Sequence, residues 1–542
     1  MSDSSNRDLL SPPGSLAPYR ALDSSNPQRD HRKNTPWLDE HIWGHRLYDS
    51  QSAWLIFMEF LSLAEGLQVE NKTLQDSAPY PLAFRPAQRL HLRNIMFNSD
   101  EAMRLAEQET SDTRRWMAWL EYMNQNALGF ANRQDFVYLQ QRFPTFDDFS
   151  RVLNLMRAST VERESNKRWS SRFLFPFGPH AIYEDLNIKP AGGTPSREYI
   201  NFGRTGELLY LMLARSEHRG ALKPVIERMV SSGNRWDRLV SKLLPPAEET
   251  AKRDERGSSY LPYASHPIFD ALARDWLAVC ESQLPVYDTY PHLVTLGGLH
   301  LVRYFLAIAQ AWAHPEDHER PLTMVCEIIT PKKTLVRELS LRSYGSNDAL
   351  SSTAIERTVT RISQAPAWLT ALQVPSDAYV DCRQLLIDQL NWGENYNGSN
   401  EPENLLSALR NDARTRHQQH LGQFHRTLGR DIGLVSRRGT NRFRYAPTDD
   451  LIKTLLIATV TQRMEYGEFL QTLYDRYGLV IGDQQAKLAL EDVEFDQKAF
   501  QANAQRLEER LASLGLVRRL SDACAYIINP YFATPAMEKV TA

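Results

Sequence analysis

Between Thr448 and Phe532 the chain orders its apolar residues more sharply than anywhere else, and that order limits what this region can fold into. Thr448 can cap a helix, with Asp449 and Asp450 in the first turn, where the helix dipole favours negative charge. "LIKTLLIATVTQR" continues that helix, and "EYGEFLQTLYDRYG" predicts a second one stopped by Gly478. A third is expected over about 497–514, "QKAFQANAQRLEERLASLG", ending at Gly515. "LVRRL" and "AYIINP" then read as two strands joined by a short Ser-Asp turn, a β-hairpin.

The rest of the chain reads as helix, so the expected fold class is mainly α, with several domains. Residues 1–35, rich in Ser, Asp, Pro, Asn and Arg, read as a disordered tail. Helical text follows over 36–245: in 52–67, Trp54, Phe57, Leu61 and Ala64 recur at helical spacing on one face. The longest break is the loop at 188–207. A charged stretch flanked by prolines, 246–264, reads as a linker. A middle helical domain is expected over 265–390, with "LTMVCEIIT" (322–330) as a candidate strand. A basic helix and hairpin (391–447), the C-terminal block (448–532) and a short tail (533–542) complete the division. No repeat of fixed period is present, which argues against a regular solenoid.

Net charge is −3, so any contact with nucleic acid must be a local patch. Such a patch is visible. From Arg410 to Arg444 there are nine arginines against Asp412 and Asp431, a net of +7, which leaves −10 for the remainder. Within it, "IGLV" and "RFRY" read as short strands around "SRRGTN", with Gly439 and Asn441 as turn residues. Alternation along "RFRY" places Arg442 and Arg444 on one face and Phe443 and Tyr445 on the other. Guanidinium groups suit phosphate because their planar fork donates two hydrogen bonds at once. Arg437, Arg438, Arg442 and Arg444 are therefore candidate phosphate contacts. The alternatives are a docking surface for an acidic partner and a solvated face.

Four cysteines without C-x2-C spacing imply neither a zinc knuckle nor a disulfide framework, as expected of a cytoplasmic protein. The polar N-terminus lacks the apolar core of a secretory signal. The apolar stretch 293–313 contains His300, Arg303 and Gln310 and reads as a buried helix, so no membrane partner is expected. No P-loop, dinucleotide-binding, zinc-protease or nucleophile-elbow motif occurs, and neither cofactor nor metal is expected. His41 and His45 stand four apart without a third ligand, and the spacing of His417, His420 and His425 spreads them around a helix. Arg410 and His417 have the R-x6-H spacing of helical ribonucleases of the HEPN type, a spacing that arises by chance several times in so Arg-rich a chain. The acidic run "EDVEFD" (491–496) lacks the glycine and final glutamate of a calcium loop.

The order of three helices and a hairpin, joined through "LEERLASLGLVRRL", resembles a winged helix-turn-helix domain over 448–532. That resemblance implies a third helix in the major groove carrying Lys498, Gln501, Asn503, Gln505 and Arg506, and a wing carrying Arg518 and Arg519. Asp496, Glu508 and Glu509 depart from a strong DNA binder by offsetting the helix's positive charge. "PWLDEHIWGHRLYDSQSAWLIFMEFL" and "NAQRLEERLASLGLVRRLSDACAYIINPYF" resemble the large helical proteins encoded in bacterial multi-gene phage-defence islands. This resemblance implies a non-catalytic subunit that binds, senses or bridges DNA beside a methyltransferase, helicase or nuclease. Its expected partners are DNA and other defence-system subunits. A protein-interaction adaptor and a helical nuclease are the alternatives.

Overall fold

The computed structural model describes residues 9–13, 16, 36–44, 47, 52–75, 91–92, 94–96, 99–127, 136–158, 161–166, 169–174, 182–187, 196–198, 205–231, 235–245, 261–317, 321–330, 334–438, 442–490, 495–521 and 524–532. Most of the 1–35 tail, His45, most of the 188–207 loop, 246–260 of the linker, Gly439 and Asn441, the acids at 491–494 and the 533–542 tail lie outside them.

The chain forms two compact units. One comprises Phe57–Tyr210 with Lys223–Ser258. Its helices Asp112–Asn126 and Phe146–Ala158 bring Trp116 and Trp119 against Phe146 and Phe149, with Trp116–Phe146 and Trp119–Phe149 edge-on at 5.1 and 5.0 Å. The Ser111 hydroxyl accepts from the Arg114 amide and starts the first of these helices. Here the structure corrects an expectation: "VERESN", "WSSRFL" and "IYEDLN" are not helical, and "SRE", within the expected 188–207 loop, is a strand. They form a four-stranded antiparallel sheet in sequential order, Val161–Asn166, Trp169–Leu174, Ile182–Asn187 and Ser196–Glu198. Period-2 patterns this polar are weak signals beside strong helical neighbours.

The other unit comprises Met1–Ile56, Leu211–Leu222 and Ser259–Ala542. The middle helices, the basic segment and the C-terminal block thus share one compact body. Its central helix, Val286–Ala313, is the one described helix long and apolar enough to cross a membrane, and most of it is buried inside the protein. Trp43 stacks on Phe305 at 5.2 Å and donates to the Phe305 carbonyl at 2.9 Å, while the Tyr304 hydroxyl donates to the Trp43 carbonyl at 2.8 Å. Helices Pro267–Glu281 and Leu335–Gln364 pack along it.

The segment 322–330 is the crossing point of this unit. Met324–Val325 pairs in parallel with Leu479–Val480. Next, the Glu327 amide donates to the Tyr445 carbonyl at 2.9 Å, and the Ile328 amide donates to Asn503 Oδ1 at 2.8 Å. Gly478 ends its helix at φ 74°, and a Cβ there would fall on the Leu322 carbonyl. Only glycine meets both demands.

The C-terminal block runs through helix Asp449–Thr459, strand Met464–Glu465, helix Tyr466–Tyr477, helix Asp483–Ala489, helix Gln497–Ser513 and strands Val517–Ser521 and Cys524–Ile527. Thr448 caps the first helix, as its sequence position predicts. Met464–Glu465 joins the hairpin to make a three-stranded antiparallel sheet, with Cys524–Ile527 in the middle.

Two histidines make this unit acid-sensitive. His292 Nδ1 lies 2.7 Å from the Thr454 hydroxyl, and burial, aided by Lys453, pushes its pKa down to about 4. His266 Nδ1 accepts from the Ile268 amide at the start of helix Pro267–Glu281, and burial, aided by Arg303, pushes it down to about 4. A folded-state pKa below the unfolded value means stability that is complete above about pH 6.5 and is lost as pH falls toward 4. Urea unfolding is expected to show a loss of about 2–3 kcal/mol per histidine across that window. A midpoint unchanged between pH 7.5 and 4.5 would contradict it.

Candidate nucleic-acid interface

The basic segment begins on helix Pro402–Gln419, passes through helix Phe424–Asp431 and enters a hairpin. In the hairpin Val435 pairs with Tyr445 and Ser436 with Arg444. Much of the +7 counted along the sequence is offset by acids from elsewhere in the fold. Arg410 and Arg414 both pair with Glu356, and Arg416 pairs with Asp39 and Glu40 while lying 4.6 Å over the Trp37 ring.

Arg444 is a correction to the expected contact set. Its side chain is fully buried and its Nε donates to Glu327, which is itself fully buried. The other Glu327 oxygen accepts from Arg337 Nε at 2.7 Å. Arg444 Nη2 reaches back to the Arg438 carbonyl at 3.0 Å. Tyr445, expected on the opposite face, is also fully buried: its hydroxyl accepts from Asn347 at 2.9 Å and lies 3.1 Å from His425 Nε2. Strand alternation separates the two faces, but here both face protein. Arg444 therefore anchors the hairpin and offers nothing to a phosphate.

What remains outside is Arg430, Arg437, Arg438 and Arg442, all exposed. Among the described residues Arg430, Arg437 and Arg438 pair with no carboxylate. Arg426 and Arg437 sit over the Phe443 ring at 5.4 and 5.9 Å, and Phe443 in turn packs on Tyr344. Arg426 also donates to Gln423 at 2.6 Å, while Arg437 rests its guanidinium on the ring at the hairpin surface.

Helix Gln497–Ser513, where base contacts were expected, is the fourth helix of the C-terminal block, and several of its polar side chains are engaged within the protein. Asn503 is fully buried and donates to the Cys326 and Ile481 carbonyls, each at 3.0 Å, so it holds the core together and cannot read a base. Gln501 donates to Asp483 at 3.0 Å and Gln505 to Glu509 at 3.2 Å. Lys498 is exposed. Arg506 is half-buried, with Nη1 enclosed and unpartnered among the described residues. On the hairpin, Arg518 is exposed, whereas Arg519 Nε donates to Glu508 at 2.7 Å. One contact escaped the sequence: Arg463 lies 3.6 Å over the ring of Tyr526. Its signal was absent because strand Met464–Glu465, which positions it, is only two residues long.

The histidines are structural in placement. His41 Nε2 lies 2.8 Å from the Gln389 carbonyl, His417 Nε2 lies 2.9 Å from the Ser351 hydroxyl, and His425 Nδ1 lies 3.0 Å from Asp348. His417 is buried, and Arg410, on the same helix, is paired with Glu356. Among the described residues, no three His, Cys, Asp or Glu side chains are placed to hold a metal ion.

Residues 393–531 match the family model of methylation-associated defense system protein MAD7. The matched part takes in the basic segment, the hairpin and almost all of the C-terminal block. It supports a place for the chain in an anti-phage defence system and, with it, other subunits as partners. No curated protein and no solved structure matches the chain.

Proposed function

We propose that this chain is a non-catalytic, DNA-binding subunit of a bacterial anti-phage defence complex in the cytoplasm, and that it grips the phosphate backbone with the 435–445 hairpin. One observation carries the reading. Arg437 and Arg438 pair with no carboxylate among the described residues, although acids from other parts of the fold engage Arg410, Arg414, Arg416 and Arg444. Basic side chains left unneutralised on an anchored hairpin, in a chain of net charge −3, form a local site for a polyanion. The C-terminal block is read as winged-helix-like. Its element order supports this, with a short strand between the first two helices pairing onto the terminal hairpin. The added helix Asp483–Ala489 and the parallel tie of Leu479–Val480 to Met324–Val325 depart from the simplest such domain.

The test is fluorescence anisotropy of labelled duplex DNA at several salt concentrations. Changing Arg437, Arg438 and Arg442 to Glu is expected to weaken binding at least ~10-fold for every sequence. It should also flatten the log–log salt slope by about 2–3, since each phosphate no longer neutralised removes roughly 0.9 from that slope. Arg444 is left intact, since a reversed charge there would face buried Glu327. If neither protein binds DNA, the hairpin becomes a docking surface for an acidic partner subunit and the DNA reading is withdrawn.

A further inference from the structure

We propose that the outer face of the C-terminal three-stranded sheet is a second phosphate-backbone contact, made by Arg463 and Arg518 around Tyr526. This rests on the DNA-binding reading above; it keeps Arg518 from the wing that the winged-helix resemblance implies, drops Arg519, and adds Arg463 and Tyr526. The register sets the faces. Val517 pairs with Ile527 and Ile527 with Met464; Ile527 is fully buried, so that row faces the core. The next row, Arg518–Tyr526–Glu465, must face away from it. Arg519, one residue on, returns to the inner side and is held by Glu508 of helix Gln497–Ser513. Two adjacent arginines, both exposed, therefore differ in what they can reach.

Arg463 completes the outer face. Its guanidinium lies 3.6 Å over the Tyr526 ring, and Arg518 stands beside that ring on the neighbouring strand. A guanidinium resting on an aromatic face keeps its in-plane donors available and loses little freedom on engaging an oxyanion. Among the described residues neither Arg463 nor Arg518 pairs with a carboxylate. Glu465, in the same row, lies 3.4 Å from the Tyr526 hydroxyl. Because Arg463 covers one face of the ring, the platform favours backbone phosphate over stacked bases, so the contact is indifferent to sequence.

The neighbouring helix offers a weaker surface, on which Lys498 stands exposed among engaged side chains. Gln497 and Gln501 both donate to Asp483 at 3.0 Å, Gln505 to Glu509, and Arg510 pairs with Asp449. Its amides are engaged and acids stand beside them, which disfavours approach to DNA.

The experiment compares variants of equal charge change on opposite faces of one strand, using the full chain and a labelled duplex of random sequence. Arg518→Glu and Arg463→Glu are each expected to weaken binding several-fold and to lower the salt slope by about 1. Arg519→Glu is expected to bind like the wild type, because its side chain lies on the other face. Tyr526→Leu, which removes the stack but no charge, should reproduce part of the Arg463→Glu loss. Circular dichroism and melting confirm that each variant is folded. Equal losses from Arg518→Glu and Arg519→Glu would reduce the effect to bulk charge and overturn the proposal. So would wild-type binding by Arg463→Glu and Arg518→Glu while the Arg437/Arg438/Arg442 reversal abolishes it, an outcome that leaves the hairpin reading standing. Absence of salt-dependent binding by the wild type removes both.

Discussion

Glu327→Ala is expected to destabilise the unit that holds the hairpin by about 3–5 kcal/mol, a large share of the stability of an ordinary protein. Glu327 is fully buried between two guanidinium groups, with Arg337 Nε at 2.7 Å and Arg444 Nε on the other oxygen. Their remaining donors are only partly used: Arg337 Nη2 reaches the Thr330 carbonyl at 2.9 Å and Arg444 Nη2 the Arg438 carbonyl at 3.0 Å, while Arg444 Nη1 has no partner among the described residues. Removing the carboxylate leaves two positive charges in the core with nothing to offset their desolvation. Glu327→Gln keeps one acceptor and most of the volume, and should fall between wild type and alanine. Replacing Glu327, Arg337 and Arg444 together by apolar residues of similar size should recover much of the loss, because the cost lies in stranding charges. Urea denaturation of the four proteins measures this. A Glu327→Ala change below about 1 kcal/mol would mean that water reaches the triad.

Asp275→Ala is expected to cost a similar ~3–5 kcal/mol, at a different junction of the same unit. Asp275 is fully buried on helix Pro267–Glu281. One of its oxygens lies 2.7 Å from His300 Nε2 and accepts from the Tyr477 hydroxyl at 2.8 Å; the other accepts from Arg476. Burial works against the charge, but His300, Arg476 and Tyr477 outweigh it and hold the carboxyl below the usual aspartate range. The alanine therefore strands a hydroxyl, an imidazole and a guanidinium at once. Since Arg476 and Tyr477 end the helix before Gly478, hydrogen exchange should rise first along Tyr466–Tyr477. Uniform exchange without local loosening, and a melting temperature close to wild type, would show that Asp275 is not the tie between these helices.

Local order was legible wherever one element's own residues decide it. The apolar spacing of the long helices, the Thr448 cap, the Gly478 stop and the terminal hairpin all follow from interactions within a few positions along the chain. The four-stranded sheet was not legible, because short polar strands carry a weak period and need their neighbours to form.

The candidate interface divides in the same way. The sequence by itself determined that arginines concentrate between 410 and 444 and that a hairpin interrupts them. It could not decide which of them reach solvent, since the answer lies in partners far along the chain: Arg416 meets Asp39 across 377 residues, and Arg444 meets Glu327 across 117. Asn503 and Arg519 follow the same rule, one drawn into the core by carbonyls of two other segments, the other claimed by a glutamate on the adjoining helix. Periodicity tells which side chains share a face. Only tertiary packing tells which face meets water, because burial of a charge is decided by whether an opposite charge or a hydrogen-bonding group arrives with it.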